Sequence, residues 1–239
     1  MSASIAVVVP VFNEGDGIVQ RVGSLLSDFD FTQVVVVDAS DDMTAKTAIE
    51  KMAAEFQSDH DTFTVIASAL PGRAVQMNRG AQACTTDVLL FLHADTRLPK
   101  DAVTCIREVF ENDYQWGRFD VSLNANGLMF RVIEWSMNLR SAVSGIATGD
   151  QGIFLKKELF ESAGGFAEIP LMEDIELSRR LKKISWPVRI RSKVITSARR
   201  WQQQGVLRTV LQMWSLRLQY WLGVSPEKLS TAYRNVRGG

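Results

Sequence analysis

Four apolar, β-branched runs recur early in the chain: "IAVVVPV", "QVVVVDAS", "TFTVIAS" and "DVLLFLHAD". Each gives way to a polar turn and then to a helix-like stretch. A strand without polar alternation cannot lie on a half-wet sheet; it must be covered on both faces, as in a parallel sheet flanked by helices. The segments between the runs can supply that cover. A polar loop at residues 13–17 leads into a helical stretch ending near Phe29. Ala45, Ala48, Ile49, Met52, Ala53 and Phe56 recur at helical spacing behind Asp41 and Asp42, either of which can cap that helix. "GRAVQMNRGAQAC" starts a third helix. The alternation predicts an α/β fold with a mixed, mostly parallel central sheet and helices on both faces.

The pattern loosens after Thr96. Residues 101–112 and 126–143 are helical in pattern, and "WGRFDVSLN" alternates as an antiparallel strand does. "GDQGIFLKK" contains a short strand, residues 173–184 form an amphipathic helix, and "WPVRIRSKVIT" alternates again. No linker or repeat divides these elements. Lys+Arg and Asp+Glu both number 27, so no basic field points to nucleic acid. Cys84 and Cys105 lack metal-like spacing and read as small core residues. The start of the chain reads as a first strand, not a leader, and no apolar run is long enough to span a bilayer. A cytoplasmic location is the expectation.

Ligands of a parallel sheet bind beyond the carboxyl ends of its strands. Three strands here end in polar groups: Asn13 and Glu14 after the first, Asp38 after the second, His93 and Asp95 after the fourth. Each alone could simply open a turn. Together they make a cluster of carboxylates that repels itself unless a cation neutralises it or hydroxyls donate to it. A divalent metal with a phosphorylated ligand satisfies both conditions.

Four segments carry a family resemblance: "VVVPVFNEG", "VVVVDASDD", "LLFLHADT" and "GGFAEIPLMEDIELSRRL". In this order and spacing the chain resembles the family 2 glycosyltransferases, with a GT-A fold and inverting chemistry. With "GRAVQMNRGA" and "WGRFDV" it is most similar to the branch named for arsenosugar biosynthesis. The resemblance implies a catalytic domain over residues 1–204, with a nucleotide-sugar-binding half (1–98) and an acceptor half (99–204). A C-terminal amphipathic helix and tail (205–239) follow.

Roles follow position by position. Pro10, Asn13 and Glu14 match the donor loop, and Asp38 the acid that holds base or ribose. Asp42 matches the second acid of that segment, or is only a helix cap. Arg73, at a helix start, suits a diphosphate, against a reading as a solvated surface charge; Asn78 lies one turn on. Asp95 matches the last acid of the metal-binding D-x-D motif, which implies Mn²⁺ or Mg²⁺. His93 stands where the family has Asp; it either favours Mn²⁺, or binds ribose or phosphate, or is structural. Asp174 matches the general base of the E-D pair, with Glu173 orienting the site. The plain alternative is that these acids decorate a helix's first turn, where the dipole favours them.

Asp150 and Gln151 fall where the family lines the donor-sugar and acceptor pocket. Arg200 and Trp201 could close over the diphosphate. "SARRW" departs from the Q-x-x-R-W of processive members, which implies transfer of a single sugar. "WGRFDV" could form part of the acceptor wall, although Arg118 and Asp120 also suit a structural ion pair. Residues 206–224 form a helix with a wide apolar face and with Arg208 and Arg217 inside it. That face could pack on the catalytic domain, pair two copies, or lie on a membrane surface.

The expected activity is metal-assisted transfer from a UDP- or GDP-sugar to a hydroxyl of a small-molecule or lipid-linked acceptor. A sugar nucleotidyltransferase is the first rival, but its basic, glycine-rich triphosphate loop is replaced by acidic "VFNEGDG". A sugar-nucleotide-binding protein without transfer activity is the second.

Overall fold

The computed structural model describes residues 2–14, 17–59 and 62–235. The first half alternates as its pattern predicts: β1 (Ile5–Val11), α1 (Gly17–Asp28), β2 (Gln33–Asp38), α2 (Met43–Asp59), β3 (Phe63–Ala67), α3 (Arg73–Ala83) and β4 (Val88–Phe91). The second half runs α4 (Ala102–Glu111), β5 (Trp116–Leu123), α5 (Leu128–Ser144), a 3₁₀ turn (Gly149–Gln151), β6 (Ile153–Lys156) and α6 (Lys157–Ser162). It continues with α7 (Glu173–Leu181), β7 (Val188–Thr196), α8 (Arg199–Gln204), α9 (Val206–Trp221) and α10 (Pro226–Asn235).

The strands form one seven-stranded sheet in the order β3-β2-β1-β4-β6-β5-β7. The β1–β4 set is parallel; β6 runs antiparallel to both β4 and β5, and β5 runs parallel to β7. Side chains of β1 divide between two cores, Val7, Val9 and Val11 on one face and Ala6 and Val8 on the other. Both faces are covered, as an apolar run without alternation requires. On the second face α3 approaches so closely that a Cβ on Gly80 would lie 2.3 Å from Val8 Cγ1.

Chain order reverses between β1 and β4, and there the strands part. Pairing of β1 with β4 ends at Val8 and Phe91, whereas pairing with β2 continues to Val11 and Asp38. A crevice therefore opens beyond the carboxyl ends of β1 and β4, the place where open α/β sheets bind ligands.

The second half is fixed by buried polar bonds. The Asn138 amide on α5 both accepts from Val121 N–H (2.8 Å) and donates to Val121 C=O (2.9 Å) on β5. Trp116 and Arg118 are buried in β5, and Asp120 takes Arg118 at 2.6 Å and Arg189 of β7 at 2.8 Å. "WGRFDV" is thus core, with the ion pair structural, rather than an exposed wall. Arg97 pairs through its backbone with Ile195, which ties the loop after β4 to β7.

At the C-terminus, Leu216 of α9 and Leu229 of α10 pack with Met172, just before α7. The other side of α9 leaves Leu211, Trp214, Leu218 and Trp221 exposed. Among the described residues, no helix is long and apolar enough to cross a membrane.

Candidate active site

Loops from both flanks of the crevice meet through Asn13. This residue holds a left-handed φ of 55°, a conformation asparagine tolerates better than most residues. Its side-chain oxygen accepts from Asp41 and Asp42 N–H, its side-chain nitrogen donates to Asp41, and its N–H donates to Ser40 Oγ. Asn13 therefore clips the loop after β1 to the loop after β2. Asp38 accepts from both N–H and hydroxyl of Ser40, and Asp42 accepts from Ala45 N–H at 2.9 Å, the bond of a helix N-cap. Pro10 is buried within β1. One residue that the sequence reading missed belongs here. The buried Gln76 amide donates to Val11 C=O and Val37 C=O, closing the ends of β1 and β2. A lone Gln in a helix carries no sequence signal for that task.

Four acids from three chain-distant segments and one arginine converge in the crevice. Arg73 opens α3; its side chain is solvent-accessible, yet dense protein surrounds it. Burial works against its charge, but Glu173, Tyr233, Asp174 and Asp95 together hold its ionisation above the ordinary arginine value. Glu14 is pushed upward by burial and by Asp95, against the opposing pull of Arg21, Arg199 and Arg73. Residues from the ends of β1 and β4 and from the starts of α3 and α7 thus share one electrostatic environment. Arg199 is a second omission of the sequence reading, which placed its emphasis one residue on. The Arg200 side chain lies outside the described residues. Trp201 packs into a small apolar cluster around Leu123, Ile133 and Ala198.

Asp174 sits in the first turn of α7, behind Met172, whose φ of 72° is left-handed. Packing of Met172 on Leu216 and Leu229 holds that unfavourable backbone and so aims the turn. Asp174 accepts from Gly149 N–H (2.8 Å) and from Ile175 N–H (2.7 Å). Burial nevertheless raises its carboxyl above the usual range, and burial with the adjacent Asp174 does the same to Glu173. These two acids, His93 and Gly149 line a cavity of about 10 Å³ with Met77, Phe91, Ile153 and Phe166.

The His93 ring lies against Gly149 so tightly that a Cβ there would be 2.4 Å from Nε2. Burial and Arg73 lower its pKa to about 3, so it is a neutral imidazole. Nε2 is buried and has no partner. Asp150 Oδ1, Gln151 Nε2, and Nε and Nη2 of Arg140 share that condition; of eight such atoms among the described residues, five belong to these four side chains. Native interiors leave few buried polar atoms unpaired, so their concentration around one turn marks a place for a ligand. Gln151 Oε1 is occupied, accepting from Thr148 in a capping box. Asn78 stands outside the group. Its amide bonds both ways to the Phe166 backbone, at 2.9 Å each, and so fastens the "GGF" loop to α3 instead of facing a donor.

Among the described residues no three His, Cys, Asp or Glu side chains are grouped to hold a metal by themselves. The donors that are present fit a hard cation which shares its shell with phosphate oxygens. Asp95 is half-buried, accepts a hydrogen bond from Thr96 Oγ1 at 3.4 Å, and Glu14 lies near enough to feel its charge. His93 turns Nε2 toward Gly149, not toward this open side.

Comparison with known proteins identifies the fold and the family. Among solved structures, a mannosyltransferase from Pyrobaculum calidifontis, in complex with GDP-Man and Mn²⁺, superposes with a TM-score of 0.62 at 19% identity. The match covers 82% of this chain and 57% of that one. S. aureus TarS, residues 1–349 in complex with UDP-GlcNAc, gives 0.63 at 18% identity over 81% of this chain and 58% of that one. The chain therefore spans less than two thirds of these neighbours, and the likeness establishes the GT-A fold. No curated protein matches. The family described as Glycosyl transferase family 2 matches residues 6–161, which takes in β1 to α6 and stops short of Glu173 and Asp174. With that match over most of its length, the chain belongs to glycosyltransferase family 2.

Proposed function

We propose that this chain is an inverting glycosyltransferase that moves one sugar from a UDP- or GDP-sugar to an acceptor hydroxyl, with Asp174 as general base. The observation that carries the reading is the convergence of Arg73 with Glu173, Asp174 and Asp95 in one crevice at the sheet's switch point. Glu14 and Asp38 stand where the nucleoside would lie. Arg73 and the first-turn N–H groups of α3 face the diphosphate and stabilise its charge. Asp95, with Glu14 nearby, would hold Mn²⁺ or Mg²⁺, which supplies Lewis-acid stabilisation of the departing diphosphate.

The acceptor oxygen attacks the anomeric carbon on the face opposite the diphosphate. Its bond to carbon forms as the bond from carbon to the phosphate oxygen breaks, and that electron pair leaves with the nucleoside diphosphate. The hydroxyl proton passes to Asp174. Burial raises the proton affinity of this carboxylate, while the Gly149 and Ile175 N–H groups oppose that rise and fix it in place.

A panel of UDP- and GDP-sugars tests the reading. Asp174→Asn is expected to retain nucleoside diphosphate binding and lose about 10²–10⁴ in transfer rate. Asp95→Ala is expected to lose the metal-dependent part of donor binding. Transfer at the parental rate by Asp174→Asn would refute the base assignment. Donor binding without turnover across a broad acceptor panel would favour a sugar-nucleotide-binding protein.

A further inference from the structure

Two arginines that neither the family match nor the sequence motifs single out stand beside the proposed base. Arg140 lies near the end of α5, and Arg217 lies on α9. Phe130, Ile133 and Met137 of the first helix and Val206 and Val210 of the second meet in one apolar cluster with Leu123 and Ala198. Continuing along that contact brings Arg140 and Arg217 toward each other and toward α7, where the neighbouring Leu216 packs on Met172. The charges are close enough to interact: Arg140 feels Arg217, Asp150 and Asp174, and Asp174 feels Arg217.

Neither guanidinium has an ion-pair partner among the described residues. Arg140 Nε and Nη2 are buried without any hydrogen bond, and so is Asp150 Oδ1 close by. Asp174 acts on both charges, but it forms no ion pair with either, and its oxygens accept from Gly149 and Ile175 N–H. A buried guanidinium without a hydrogen-bond partner costs several kcal/mol unless an acceptor meets it; Arg140 is such a group, and half-exposed Arg217 beside it adds a second positive charge for the same ligand. A carboxylate would neutralise only one of them, whereas a phosphomonoester offers both its charge and three acceptor oxygens to planar donors.

Resting on the glycosyltransferase reading above, we propose that the acceptor carries a phosphomonoester, which Arg140 and Arg217 bind while its neighbouring hydroxyl faces Asp174. Arg73 handles the donor's diphosphate and these two handle the acceptor's phosphate, so the anionic groups stay on opposite sides of the reacting carbon.

The phosphate could sit on a soluble metabolite or a lipid, because exposed Trp214, Leu218 and Trp221 of α9 offer a surface to acyl chains. The test is calorimetric titration of the whole chain with glycerol 3-phosphate, with glycerol, and with dodecyl phosphate in phosphatidylcholine vesicles. Each titration is run with and without UDP or GDP plus Mn²⁺. Glycerol 3-phosphate or dodecyl phosphate is expected to bind and glycerol not to; the tighter of the two phosphates assigns the source. Arg217→Gln, at a half-exposed position that folding tolerates, and Arg140→Gln are each expected to weaken phosphate binding about tenfold or more. Arg73→Ala should weaken nucleotide binding and leave phosphate binding within about twofold. Absence of phosphate binding, or binding unchanged in Arg217→Gln, overturns the proposal. Loss of nucleotide binding in the parental chain would instead strike the glycosyltransferase reading, and the nucleotide-free titration still decides the phosphate site.

Discussion

Gly149 is the residue on which the site's geometry can be tested most sharply. Its ideal Cβ would lie 2.4 Å from His93 Nε2 and 2.6 Å from Cε1. Comfortable carbon contacts need about 3.5 Å, so Gly149→Ala must displace the ring or the turn by about 1 Å. The ring has little room to retreat, since the space lined by Met77, Phe91, Ile153 and Phe166 amounts to about 10 Å³. Overpacking of this kind costs ~1–3 kcal/mol, and in a chain of this size each kcal/mol lowers Tm by ~2–4 °C. If the turn yields instead of the ring, Gly149 N–H also withdraws from Asp174, which loses one of the two bonds that favour its charged form. A double-mutant cycle separates these costs. In a His93→Ala background the added methyl occupies space that the ring has left, so the two substitutions should couple favourably by about 1–2 kcal/mol. Urea denaturation of the four proteins supplies the cycle. If Gly149→Ala is within about 0.5 kcal/mol of the parent and additive with His93→Ala, the proposed packing of imidazole against glycine is wrong.

Two further outcomes follow from buried charge. Burial and Asp174 push Glu173 up to about 7, so the folded chain binds this proton more tightly than the unfolded chain does. Its contribution is therefore fully present below the ordinary glutamate range and is lost as pH rises toward about 7; chemical denaturation across that window should show stability falling, with the slope reduced in Glu173→Gln. Within β5, Asp120→Ala strands the buried Arg118 and should cost about 3–5 kcal/mol, whereas Arg189→Ala, which removes the half-exposed partner, should cost about 1 kcal/mol or less. Equal costs would show that Asp120 is held by Arg189 instead.

Much of this molecule is written in local pattern. Apolar runs too continuous for a one-sided sheet fix β1, β2 and β4 as strands covered on both faces, and short-range capping fixes Asp42 at the start of α2. The carboxyl ends of those strands then draw Glu14, Asp38 and Asp95 to one sheet edge, because strand polarity in a parallel sheet is shared. Periodicity and strand polarity are properties of neighbours along the chain, so a sequence discloses them.

What the sequence could not disclose depends on contacts between distant segments. Asn13 and Asn78 look alike as polar turn or helix residues, yet one clips two site loops together and the other fastens the Phe166 loop. Trp201 follows two arginines in a suggestive motif, but its ring finds Ile133 and Leu123. Gln76, Arg140, Arg199 and Arg217 gain their meaning only when helices bring them to groups many residues away. The hydrophobic pattern selects which face of a helix is buried, but burial alone does not choose partners for the few polar side chains carried inward. Those partners are set by helix packing, because an unpaired buried charge or amide is costly and each must be met by whatever group the fold sets beside it.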